Sequence, residues 1–347
     1  MDRTVARLTG SSAARRSSMP SRRVARGVSV LAAASVIALL AACAPGGARE
    51  LTGDLAAHDP ALARDGDTWY VYSTGNGTVA DGNIQVRSSD DGVTWRYDGE
   101  VWQEKPGWLR ESVPGVDNLW APELVEHDGI WYLYYSASTF GKNSSVIALA
   151  TNTTVDPDDP EYAWVDRGPV VTSSSGDDFN AIDPGVAVDA EGTPWMSFGS
   201  FWSGIRMVEL DWPSGLRADD GEPLRLADRG VPPNAIEAPY LVEHDGEWFL
   251  FVSLDSCCRG TDSTYRVAVG RSNAPTGPFV DRDGVPLLEG GGTVLLESEG
   301  SRIGPGGQSI ADGMMALHYY DANLRGAFQQ ALLPLRWDGD GWPVAEW

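Results

Sequence analysis

Positive charge is scarce in this chain of 347 residues. Lysine and arginine number 26 against 49 aspartates and glutamates, a formal net charge of −23. Phosphate backbones are held by clustered lysine and arginine, so nucleic acid is excluded as the main partner. Cysteine is scarce too: there are three, Cys43 and the adjacent pair Cys257-Cys258. A bare Cys-Cys pair has no metal-ligand spacing, which excludes a zinc site. Helical periodicity is almost absent, because 40 glycines and 22 prolines interrupt every stretch long enough for a helix. Aromatic residues are plentiful, 10% of the chain with 14 tryptophans. That supply fills a full core and excludes global disorder.

The N-terminus reads as an address. Residues 1–27 carry seven arginines and one acid, Asp2, and residues 28–42 form an apolar run of 15 residues. The run is short of the roughly 20 residues a membrane-crossing helix needs, and a basic head before it is the secretory signal pattern. Leu40-Ala41-Ala42-Cys43 resembles the bacterial lipoprotein box, in which Cys43 is acylated and becomes the mature N-terminus; a plain secreted signal is the alternative. Ser21-Arg22-Arg23 resembles the start of a twin-arginine signal but lacks the apolar pair that should follow. Without residues 1–42 the chain keeps 19 basic and 48 acidic side chains, a net charge near −29. Anionic lipid repels such a surface, so only a lipid anchor would hold it at a membrane. The division expected is a signal over 1–42, a lipidated cysteine and linker over 43–57, and one folded domain over 58–347.

Self-similarity organises that domain. A turn followed by an aromatic, alternating strand recurs five times, as in Asp65-Gly66-Asp67-Thr68-Trp69-Tyr70 and Asp128-Gly129-Ile130-Trp131-Tyr132. The turn glycines Gly66, Gly129, Gly192, Gly246 and Gly313 lie 63, 63, 54 and 67 residues apart. Asp-Gly supplies the positive-φ turn of a hairpin, and about 60 residues suit one four-stranded blade with its loops. The fold expected is all-β, a five-bladed β-propeller, whose closure leaves only short sheet edges. A β-sandwich with recurring hairpins is the alternative. Trp69, Trp131 and Trp248 repeat at one strand position and read as core.

Acids recur shortly before the turns: Asp59, Glu123, Asp183 and Glu237 precede their turn glycine by 7, 6, 9 and 9 residues. In a propeller the first strand of each blade runs along the central axis, so these acids should share one position and meet at one mouth. Like charges gathered beside an apolar rim of Trp120, Phe140 and Tyr240 perturb one another's proton affinity. One acid protonated and another ionised is what glycoside hydrolysis requires. Taken singly, each Asp-Pro or Glu-Ala-Pro is a turn or a strand start.

Together, His58-Asp59-Pro60, Trp120-Ala121-Pro122-Glu123, Ala181-Ile182-Asp183-Pro184, Ile236-Glu237-Ala238-Pro239-Tyr240 and His318-Tyr319-Tyr320-Asp321 resemble glycoside hydrolase family 43, and within it the endo-1,5-α-L-arabinanases. The resemblance runs from about residue 56 to the C-terminus. It implies an inverting mechanism in which Asp59 is the general base, Glu237 the general acid, and Asp183 holds up the pKa of Glu237. Aromatics near the mouth, Trp120, Phe140, Trp202 and Tyr240, are expected to stack on furanose faces, with His58 and Asn180 as further substrate contacts; a monomer is expected, with arabinan or arabino-oligosaccharides as partner. No organic cofactor is implied. His318, inside an apolar strand, reads on its own as a satisfied core residue; by resemblance it matches a histidine that holds a hydrated calcium ion. The expected site of action is extracellular, on the outer face of a bacterial membrane.

The family pattern after Gly304-Pro305-Gly306 continues with His-Asn, whereas here it is Gly307-Gln308, at a position expected to face the cleft. Cys257-Cys258 form either a vicinal disulfide or two free thiols. A sialidase is the rival enzyme, on the box Ser88-Ser89-Asp90-Asp91-Gly92-Val93-Thr94-Trp95, but the box occurs once and an anionic sugar needs converging arginines. Within the family the rival is an exo-acting α-L-arabinofuranosidase or β-xylosidase; outside catalysis it is a non-catalytic sugar-binding lipoprotein.

Overall fold

The computed structural model describes residues 49–78 and 81–347. The signal segment and Cys43 lie outside the described residues. Five sheets, antiparallel apart from one short parallel pairing in the first, follow one another along the chain, with a two-stranded ribbon near the C-terminus. The first strands of the five blades are Ala61–Asp65, Leu119–His127, Gly185–Val188, Ile236–His244 and Arg302–Ala311. Each packs against the first strand of the next blade, and the fifth packs against the first. The result is a closed five-bladed β-propeller with these strands around its axis.

The Asp-Gly signal is realised in the hairpins. At Asp128-Gly129, Asp245-Gly246 and Asp312-Gly313 both residues have positive φ, the backbone that matches the twist of two flanking strands. Trp248 is buried, and Trp69 and Trp131 are half-buried against the cores between blades. His127 and His244, each beside a turn aspartate, lie flat on Trp212 and Trp337.

The linker expected over 43–57 is cut short by the fold. Leu51, Leu55 and Ala57 pack with Leu62, Val71 and Trp95 of blade one and with Ala316 and Leu332 of blade five. Thr52–Gly53 pairs in parallel with Thr94 and Trp95, the Gln330 amide donates to the Leu55 carbonyl, and Asp54 holds the buried Arg87 at 2.9 Å. Blade five has only three strands of its own, so this segment seals the joint between the last blade and the first. Its Ala- and Gly-rich composition hid three apolar side chains with a core to enter.

Candidate active site

Each axial segment contains the same kink. Asp59, Ala121, Asp183, Ala238 and Gly307, one per blade, have left-handed backbone with φ from 38° to 60°, and proline follows the first four. Such backbone costs on the order of 1 kcal/mol or more at a residue other than glycine. The amide of each donates to a side chain of the preceding blade. Asp59 donates to Nδ1 of His318 (3.1 Å), Ala121 to Thr74 (2.8 Å), Asp183 to Ser136 (3.0 Å), Ala238 to Asp183 (3.2 Å) and Gly307 to Ser253 (3.0 Å).

The kink sets the register of the acids and corrects the expectation that all four share one position. Asp59 and Asp183 occupy the kink itself, Glu237 stands one residue before it, and Glu123 two after it. Asp59, Asp183 and Glu237 therefore line one cleft of about 1080 Å³, together with His58, Trp120, Asn180 and Phe140. Glu123 turns instead into a cavity of about 30 Å³ on the axis beneath. Tyr240 is the blade-four counterpart of Glu123 and lines that lower cavity too, so it is not on the rim of the cleft. Its hydroxyl donates to the Ile310 carbonyl at 3.0 Å. Gly307-Gln308 also lies beneath the cleft rather than facing it. A side chain at Gly307 would meet Asp59 and His318 at under 3 Å, and Gln308 is tied to Ser253 and to the Ala238 carbonyl.

Burial pushes the Asp59 carboxyl up, but His58, His318 and the Thr74 hydroxyl outweigh it and hold the group well below the usual carboxylate range. His58 Nδ1 and the Thr74 hydroxyl reach its Oδ2 at 2.8 and 2.6 Å. The other two acids move the opposite way. Burial, then the charges of Glu237 and Asp59, push Asp183 well up; burial, with Asp59 adding to it, raises Glu237 against the hydroxyls of Ser200 and Tyr265 that donate to it. Two carboxyls this close retain a proton where an isolated acid would lose it. Asp183 also grips the strand that carries Glu237, through the Ala238 amide.

Sequence reasoning did not find Thr74, Ser200 or Tyr265. Thr74 and Ser200 follow aromatic strands of the repeat, a position that the repeat itself marks, whereas Tyr265 belongs to no motif. Phe140 is 83% exposed and Trp202 39%, and both offer open faces along the cleft wall. Asn180 is buried and accepts from Ser145 at 2.7 Å. Cys257 and Cys258 are joined as a vicinal disulfide at the edge of the cleft. His318 is fully buried, stacked on His58 at 3.6 Å between ring centroids, and its Nε2 has no hydrogen-bond partner.

Residues 52–343 match the model of glycosyl hydrolases family 43. The chain belongs to that family. The extracellular exo-α-(1→5)-L-arabinofuranosidase of Cellvibrio japonicus is 38% identical over 90% of this chain and 91% of its own length. The extracellular endo-α-(1→5)-L-arabinanase 1 of Bacillus subtilis is 38% identical over 82% of this chain and 86% of its own. The structure of a Cellvibrio cellulosa α-L-arabinanase complexed with arabinohexaose superimposes with a TM-score of 0.78, at 38% identity over 84% of this chain and 96% of the other. In this family-43 member, then, blades one, three and four each contribute one carboxyl to a single cleft.

Proposed function

We propose that the protein hydrolyses α-1,5-linked L-arabinofuranosyl bonds within arabinan, with inversion at the anomeric carbon. The observation that carries this reading is the opposed proton affinity of Asp59 and Glu237 across one cleft. Asp59, ionised, takes a proton from water as its oxygen attacks the anomeric carbon. Glu237, protonated, gives its proton to the departing glycosidic oxygen. Asp183 and Glu237 oppose each other's ionisation, which keeps a proton on the pair, and Asp183 steadies the Glu237 strand through the Ala238 amide. Such a pair separated by a water is the inverting arrangement. Trp120, Phe140 and Trp202 offer faces on which furanose rings stack, Asn180 offers a polar contact, and His58, whose two nitrogens are met by Asp59 and Tyr320, lines the cleft beside the base.

Proton NMR of the first product formed decides the stereochemistry: the β-anomer is expected from an α-linked chain, and initial release of the α-anomer overturns inversion. Product sizes decide the mode. Debranched arabinan should give a spread of oligosaccharides early; a single short product from the outset would favour the exo-acting reading, which the Cellvibrio japonicus relative supports equally by identity.

The same proposal includes export and a lipid anchor at Cys43, supported by the box preceding it and by the extracellular relatives. Mass spectrometry of the membrane-associated protein should find a diacylglyceryl Cys43; release of an unmodified chain into the medium would remove the anchor. The axial donors also fit a hydrated hard cation. Ligand atoms of His58, Asp59 and His318 lie within 4.8 Å of one another; both nitrogens of His58 are engaged by Asp59 and Tyr320, so the ring nitrogen left for an ion is Nε2 of His318, buried without a partner. A cation on Nε2 requires the ring proton on Nδ1, and with it the loss of the 3.1 Å bond that the Asp59 amide donates to that nitrogen. Bound there, the ion would offset repulsion between the carboxylates.

A further inference from the structure

The hydroxyl of Tyr320 stands in a relay that the hydrolytic reading does not use. The Cys258 amide donates to it at 2.7 Å, and it lies 2.8 Å from Nε2 of His58, whose Nδ1 lies 2.8 Å from Asp59. We propose that Tyr320 is a positioning residue: with the Cys258 amide fixing the direction of its proton, it holds His58 in the tautomer that donates to Asp59. The inference rests on Asp59 being the base.

The donor inventory supports this direction. A backbone N–H only donates, so the Tyr320 oxygen accepts from Cys258 and has one proton left to give. Ser263, the other side chain that meets this hydroxyl, already accepts from the Arg259 amide and has its own proton to give; Nε2 of His58 at 2.8 Å is the acceptor that remains, which leaves the proton of a neutral ring on Nδ1, facing the carboxylate. The other tautomer would set a nitrogen lone pair against a carboxylate oxygen at 2.8 Å. His58 is held from its other sides as well, stacked on His318 and met edge-on by Phe328. Asp59 Oδ2 therefore receives two aimed donors, His58 and Thr74, and its plane is fixed before water arrives.

The disulfide belongs to this arrangement. It closes a small ring that includes the peptide between Cys257 and Cys258, and Cys258 has left-handed backbone, φ 64°. Closure limits the directions the Cys258 amide can take. The ring of Tyr320 is buried, and phenylalanine would fill the same space, so the hydroxyl alone can be removed.

Tyr320→Phe tests the proposal. The expected result is a kcat lower by about 10- to 100-fold, the scale of one aimed hydrogen bond to a charged group, with KM within about twofold. The loss should be equal on linear arabinan and on an aryl arabinofuranoside with a good leaving group, because the base acts on both. Azide should recover part of it: its nitrogen bonds to the anomeric carbon, the carbon–oxygen bond breaks, and the electron pair leaves with the phenolate. Mere destabilisation would lower the melting temperature without azide rescue. Wild-type kcat, or loss on arabinan alone, overturns the proposal.

If Tyr320→Phe does not fold, the disulfide supplies the test in the wild-type protein. A phosphine reductant should lower kcat several-fold through Tyr320, and unchanged kcat overturns the link. Where Tyr320→Phe folds, the reductant should leave its kcat unchanged; equal loss in both proteins overturns the link. Asp59→Ala separates the two readings. If it retains activity, the base assignment falls and the relay with it. If it is inactive and rescued by azide while Tyr320→Phe behaves as wild type, only the relay falls.

Discussion

Two buried glutamates on equivalent strands, Glu237 and Glu123, have been given different work by three residues of register. Both carboxyls are pushed upward chiefly by burial, Glu123 to about 8. Glu237 opens on the cleft, takes donors from Ser200 and Tyr265, and sits against Asp183. Glu123 takes the Val186 amide at 3.3 Å and faces a cavity with room for little more than one water. A raised pKa is thus no mark of catalysis by itself. An acid becomes a proton donor for chemistry where burial is incomplete, a second acid holds the proton on, and a substrate can reach it.

The sharpest way to break this contrast is to remove both side chains. Glu237→Ala should lower kcat on arabinan by about 10³- to 10⁴-fold while retaining activity on aryl arabinofuranosides, whose leaving groups need no protonation. Glu123→Gln should leave kcat on both within about twofold. Equal loss on the two substrate classes for Glu237→Ala would remove it as the acid. Next in size is Asp183→Asn. Glu237 must be protonated to act, so activity on arabinan is present below its raised pKa and falls as pH climbs through it. The two acids are coupled, and replacing one by an amide removes the mutual repulsion that keeps a proton on the pair, which lowers that pKa. The alkaline limb of the kcat profile should move to lower pH and kcat should fall about 10²-fold. An unmoved limb would make Asp183 a strand anchor alone.

The fold was legible because Asp-Gly turns and alternating aromatics recur five times, and the three cleft acids because each falls in a short motif at the same stage of its repeat. The register within each motif was not legible from acid-to-glycine spacing, since strands of different length separate the kink from the turn. A better ruler was present: Asp59-Pro60, Ala121-Pro122, Asp183-Pro184 and Ala238-Pro239 align the kinks, and that alignment puts Glu123 opposite Tyr240 rather than Glu237. Ser200 and Tyr265 escaped because their contacts to Glu237 cross between strands, where no local pattern exists. Residues 51–57 escaped because a segment that pairs with both the first blade and the last carries no repeat of its own.

The smallest effect expected is also the most diagnostic of Glu123. Its carboxyl is near 8 in the folded protein and near its ordinary 4.5 when unfolded. Below about pH 4 both states are protonated and the group costs nothing. Between these values the unfolded chain releases a proton that the folded one keeps, so stability falls by about 1.4 kcal/mol per pH unit. By pH 7 the loss reaches about 3 kcal/mol. Glutamine has no such proton, accepts the Val186 amide through its carbonyl, and offers its own N–H groups to the Tyr240 oxygen. Glu123→Gln should therefore match wild type at pH 4 and melt about 5 °C higher at pH 7. Calorimetry at both values reads this directly. A gain of equal size at both would mean that packing, not the trapped proton, separates the two proteins, and Glu123 would then differ from Glu237 in surroundings but not in protonation.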